Sequence, residues 1–179
     1  MLLRRAARTI VAWTAAVCAV VALTTAPSAT ASTTAAPRAM VPDGVYGITF
    51  GGDEDAHLTP LSSQQGAPTV LLPPIGLPGY QEWELVRDSR TTQLIRNLGT
   101  GLYLTPGEGQ PADHRAVVAG PYPYSWVVRT GSAPNRVTIA TWNGGFALDL
   151  SPKMIYPPRV DVQTRRSDLS QEWVLALHE

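Results

Sequence analysis

The 179-residue chain carries 14 basic and 14 acidic side chains, one cysteine and 16 prolines. Its first three arginines fall in a segment expected to be removed, which leaves 11 bases against 14 acids, a net charge near −3. That balance argues against nucleic acid or an anionic membrane as partner of the mature form, and the scattered prolines argue against long helices.

Residues 1–31 read as a secretory signal peptide. Arg4, Arg5 and Arg8 form a basic start, Ile10 to Leu23 an apolar run, and Ala29-Thr30-Ala31 a small-residue cleavage pattern. Cys18 lies inside the apolar run and is expected to leave with it. Residues 32–41, rich in Ser, Thr, Ala and Pro, are expected to be a disordered leader. The secreted remainder therefore has no disulfide and must fold by packing alone. A single domain of about 148 residues buries roughly two-thirds of its unfolded surface, which makes this feasible.

From residue 42 onward the chain repeats itself. Leu58-Thr59-Pro60, Leu104-Thr105-Pro106 and Leu150-Ser151-Pro152 are spaced 46 residues apart, and each is followed by a tryptophan, Trp83, Trp126 or Trp173. Aligned on these triplets, repeats of about 43–88, 89–130 and 135–177 each contain four short apolar or β-branched segments bounded by Gly, Pro or Asn. The first segments are Val45 to Phe50, Gln93 to Asn97 and Val137 to Trp142; the second are Ala56 to Thr59, Leu102 to Thr105 and Phe146 to Ser151. The third are Thr69 to Leu72, Ala116 to Ala119 and Val160 to Gln163; the fourth are Gln81 to Val86, Tyr124 to Arg129 and Gln171 to Ala176. Glycine-rich turns join first to second segments, so each repeat is expected to open with a hairpin. The class is all-β. Leu58, Leu104 and Leu150 are expected in one core layer and the three tryptophans in another, with six strands closing into a barrel that leaves no free edges.

Twelve strands in three four-stranded repeats, two of which end in Gln81-Glu82-Trp83 and Gln171-Glu172-Trp173, resemble the β-trefoil fold. The Q-x-W signature is similar to that of ricin-B-type lectin repeats; the second repeat has Tyr124-Ser125-Trp126 in its place. Trefoils serve as lectins, inhibitors and cytokines, so the fold alone does not choose among them.

No converging acids, bases or metal ligands have diagnostic spacing. His57, His114 and His178 lack the pairing of a zinc site, Asp53-Glu54-Asp55 lacks the ligand alternation of a calcium loop, and no nucleophile motif is present. Binding without a cofactor is therefore expected, not catalysis.

Pro42-Asp43-Gly44-Val45-Tyr46-Gly47-Ile48-Thr49, Thr69-Val70-Leu71-Leu72-Pro73 and Leu94-Ile95-Arg96-Asn97 followed by Gly101-Leu102-Tyr103-Leu104 resemble the fungal cospin-type serine protease inhibitors. The resemblance implies a monomeric inhibitor of an extracellular chymotrypsin-, subtilisin- or trypsin-like protease. Its reactive loop would fall at Leu58, Thr59, Pro60 and Leu61. No arginine or lysine lies between Asp43 and Val86, so a trypsin-like target requires another loop: Arg87 and Arg90, or Lys153 and Met154. The alternative is a ricin-B-like glycan-binding module. Gly145-Phe146-Ala147-Leu148-Asp149-Leu150 is similar to the L-D stretch of such repeats, which implies Asp149 as sugar ligand and Trp142 or Tyr156 as aromatic platform.

Overall fold

The computed structural model describes residues 39–178 apart from 52, 54 and 167. The signal-peptide segment, Cys18 and the leader up to residue 38 lie outside the described residues. Residues 39–41, expected in the leader, belong to the fold. Met40 bridges to Arg129, the Thr130 N–H donates to the Ala39 carbonyl (2.9 Å) and Val41 is buried. An apolar pair at 40 and 41 adds backbone pairing and core area at the price of ordering three residues.

Twelve strands follow: β1 Gly44–Phe50, β2 His57–Pro60, β3 Ala67–Leu72, β4 Glu82–Arg87, β5 Gln93–Asn97, β6 Tyr103–Pro106, β7 Arg115–Gly120, β8 Trp126–Thr130, β9 Arg136–Thr141, β10 Phe146–Leu150, β11 Val160–Thr164 and β12 Trp173–Leu177. A single 3-10 turn, Leu169–Gln171, is the one helical element among the described residues. Each strand overlaps a segment expected from the alternation of apolar residues, with ends displaced by at most two positions.

All pairings are antiparallel. Strand β1 pairs with β4, β4 with β5, β5 with β8, β8 with β9, β9 with β12, and β12 returns to β1 over five residues. Closure of this six-stranded ring satisfies strand edges that would otherwise be exposed. The remaining strands form hairpins β2–β3, β6–β7 and β10–β11, which pair with one another through β3–β7 and β7–β11. The hairpins expected between first and second segments are correspondingly slight. Among the described residues each contributes one strand-paired position to the sheet, Thr49 with His57, Arg96 with Tyr103 and Ala140 with Ala147. The chain leaves the ring there at glycine-bearing turns, where Gly101 and Gly144 both adopt φ of 71°.

Trp83, Trp126 and Trp173 are fully buried. Their indole N–H groups donate to the carbonyls of Leu58 (2.9 Å), Leu104 (2.7 Å) and Leu148 (3.0 Å). The same bond thus ties a buried indole to a buried leucine three times, satisfying a polar group that the core would otherwise strand. The third partner corrects the sequence alignment. Leu148, not Leu150, is the counterpart of Leu58 and Leu104, and Leu150 sits partly exposed against the edge of the core. Side chains two apart on a strand share a face, so alternation alone does not detect a two-residue displacement.

Candidate functional site

The segment Leu58-Thr59-Pro60 is not a loop. It is strand β2, buried along its length and in register with Leu71, Val70 and Thr69 of β3. Thr59 Oγ1 donates to the His57 carbonyl (2.9 Å) and accepts from Gln81 Nε2 (3.0 Å). A protease cleft needs free, extended backbone, and here the side chains are buried, one strand edge pairs with β3, and the Leu58 carbonyl accepts from the Trp83 indole. Leu61 is exposed, but it opens a tight turn held by Leu61 N–H to Pro68, Gln64 N–H to Ser62 Oγ and Ala67 N–H to Gln64.

The basic candidates lie elsewhere on the surface. Arg87 ends β4 and Arg90 projects from the 88–92 turn, where Ser89 and Thr92 hydrogen-bond through their hydroxyls (2.7 Å). Lys153 and Met154 stand exposed on the β10–β11 connection, with Ile155 and Tyr156 following. Pro152, Pro157 and Pro158 frame this connection and limit its backbone freedom.

Asp149 is not open to a sugar. It lies in β10, 3% exposed, and its carboxylate accepts from Arg166 Nη2 (2.6 Å), Gln171 Nε2 (3.0 Å) and the Leu150 N–H (2.7 Å). Gln171 reaches Asp149 as Gln81 reaches Thr59, so the first glutamine of each Q-E-W braces the strand bearing the core leucine. Arg166, which no motif marked, supplies the cation that a buried carboxylate requires. Directly across the strand pair lies a second buried carboxylate, Asp161. It accepts from Gln163 Nε2 (3.0 Å), and its other oxygen faces His114 Nδ1 at 4.0 Å without a hydrogen bond. Burial pushes the Asp161 carboxyl above the ordinary carboxylate range, and neighbouring Asp149 adds to the rise.

An open cleft of about 440 Å³ forms where the β1–β2 connection meets the β10–β11 connection. Tyr156, 85% exposed, forms part of its wall with Asp53 and Asp55 opposite in sequence, and Phe50, Leu71 and Leu150 provide apolar lining. Among the described residues no cationic side chain lines it. The arrangement offers an aromatic face, an apolar floor and carboxylate acceptors, a combination suited to polyhydroxylated ligands with apolar C–H faces. Of the sequence-derived sugar candidates this cleft takes only Tyr156. Trp142 is exposed on the β9–β10 turn and is not among the lining residues. A separate groove of about 500 Å³ beside Arg165, Arg166, Asp168 and Glu172 is polar, mixed in charge and without an aromatic wall.

No protein-family model and no curated protein sequence matches the chain. Solved structures do match. The Macrolepiota procera ricin B-like lectin, in complex with lactose, superposes with a TM-score of 0.66 at 22% identity over 78% of this chain and 100% of that one. The designed 3-fold symmetric protein ThreeFoil gives 0.65 at 18% identity over 76% and 100%. The Rhizoctonia solani agglutinin gives 0.67 at 15% identity over 79% and 100%. The chain has the fold of the β-trefoil proteins. At these identities the likeness extends to the fold alone, and it includes no cospin-type inhibitor among the structures named.

Proposed function

We propose that this trefoil is a secreted carbohydrate-binding module, composed of three four-stranded repeats and binding saccharide in the cleft walled by Tyr156. The observation that carries the reading is the juxtaposition of an exposed tyrosine with Asp53 and Asp55 over an apolar floor. Tyrosine stacks against the C–H face of a sugar ring while carboxylates accept its hydroxyls. The likeness to a ricin B-like lectin and an agglutinin supports the same class of ligand. Asp149 has no part in this reading, because Arg166 and Gln171 hold its Oδ2 and the Leu150 N–H holds its Oδ1. Binding to a glycan array followed by titration of Tyr156→Ala tests it. The variant should lose about tenfold in affinity, worth about 1.4 kcal/mol, at an unchanged unfolding midpoint. Retention of full affinity would remove Tyr156 and its cleft from the reading.

Serine protease inhibition is the second reading, and one observation favours it. Lys153 and Met154 stand exposed on a proline-framed connection, and such framing lowers the ordering cost of docking. Assay against trypsin, chymotrypsin and subtilisin separates the two readings. Trypsin inhibition that disappears in Lys153→Ala would establish the second, whereas inhibition of none together with glycan retention would eliminate it.

A further inference from the structure

A second cleft lies at the corresponding seam of the trefoil. In the first, the β10–β11 connection closes against β3, where the Leu71 N–H donates to the Pro158 carbonyl (2.8 Å). In the second, the β2–β3 connection closes against β7, where the Gly66 N–H donates to the Ala119 carbonyl (2.8 Å). Leu71 and Ala119 are equivalent positions, because they face Leu58 and Leu104 in matching hairpin registers. Two residues beyond each stands a proline, Pro73 or Pro121, and both prolines line their clefts.

The second cleft measures about 390 Å³. Tyr122, 78% exposed, forms one wall, Glu108 supplies a carboxylate, and Gln65 and Thr105 add an amide and a hydroxyl. Among the described residues no cationic side chain lines it either. The aromatic ring comes from the wall opposite to that which bears Tyr156, so the two clefts reach similar chemistry by different side chains. The remaining seam differs. There the Asp113 carboxylate accepts from the Thr164 N–H (2.7 Å) and His114 lies beside it, so side chains from the β6–β7 connection occupy the corresponding edge.

We infer that the cleft at Tyr122 and Glu108 is a second saccharide site, making the module bivalent, and that the two sites favour uncharged or amine-bearing sugars, with discrimination against acidic ones strongest at the Tyr156 cleft. The inference rests on the carbohydrate reading above. The charge selectivity follows from the carboxylates in the linings: an incoming uronate or sulfate would meet like charge as it lost water, whereas an amine would meet its counter-charge, an effect moderated in the second cleft because the Arg115 side chain packs against Gly107 and Gly109 on either side of Glu108. Two sites on one rigid body raise the retention of a repeating glycan through effective concentration, with no new contact.

The test uses the purified full chain on immobilised cellulose-type, glucosamine-type and galacturonate-type glycans, followed by calorimetric titration with the soluble hexasaccharide of the class retained best. Expected are stoichiometry of two sites per chain and galacturonate as the weakest class. Tyr122→Ala and Glu108→Gln should each remove or weaken one site, leave the other's affinity intact, and reduce retention on the immobilised glycan at least tenfold. Both positions are surface side chains, and an unchanged unfolding midpoint shows that the variants fold. One site per chain, full stoichiometry and affinity in both variants, or preference for galacturonate would overturn the inference while leaving the carbohydrate reading standing. Retention of no glycan would overturn both.

Discussion

Asp161 is the residue at which burial and charge are least reconciled. Its carboxyl is held above its ordinary value first by desolvation, partly offset by the neighbouring Ser151 hydroxyl, the hydrogen bond from Gln163 and the proximity of His114. The sign of the consequence follows from linkage. Between the unfolded value and the raised folded value the native state binds more protons, so stability falls as pH climbs through that window and the ionised group is a net burden at neutral pH. Asp161→Asn should therefore raise the urea midpoint at pH 7, with the advantage shrinking as the buffer is acidified into the ordinary carboxylate range. A stability difference that is the same at every pH would contradict this account. The sequence displayed Asp161 only as one member of an alternating strand. Its burial opposite Asp149 is a property of the β10–β11 register.

Strands were legible because period-two alternation bounded by turn residues encodes them locally. What alternation does not encode is register, and β10 shows the result. Leu150 matches the repeated triplet by letter, yet the Trp173 bond selects Leu148. That two-residue displacement aligns Leu148-Asp149 with Leu58-Thr59 and explains why Gln171 meets Asp149. Arg166 then completes the contact from 17 residues away, a span over which no motif links the two. Arg166→Ala leaves a buried carboxylate with only its amide and backbone donors. Since Arg166 itself is 40% exposed, solvent moderates the loss, and about 1–3 kcal/mol is expected. Chemical denaturation measures it, and Arg166→Lys should recover only part, because a lysine provides the charge without the planar guanidinium. The same logic accounts for the candidate loops. Leu58 to Pro60 read equally well as an exposed loop or a strand until burial and the β2–β3 pairing tied the segment into the sheet.

At the scale of the molecule, stability rests on ring closure. Strand β12 pairs with β1 over five residues, contacts β9, and carries Trp173 into the core. Ending the chain before Trp173 should unpair two strands and expose an indole-sized void, so the truncated chain is expected to show no cooperative thermal transition by circular dichroism. A sharp transition near that of the intact chain would mean that the remaining strands suffice without closure. The described residues contain no cysteine, so this closure has to be held by packing and backbone pairing. By itself the sequence determined the all-β class, the number and order of strands and the three buried tryptophans, since each is written in local periodicity, turn chemistry and repetition. Only the tertiary structure decided which leucine belongs to the third layer, that Asp149 is occupied by Arg166, and that Tyr156 meets Asp53 and Asp55 across a cleft. Those contacts join residues far apart in the chain, and their geometry is set by strand register and barrel closure, which local pattern does not specify.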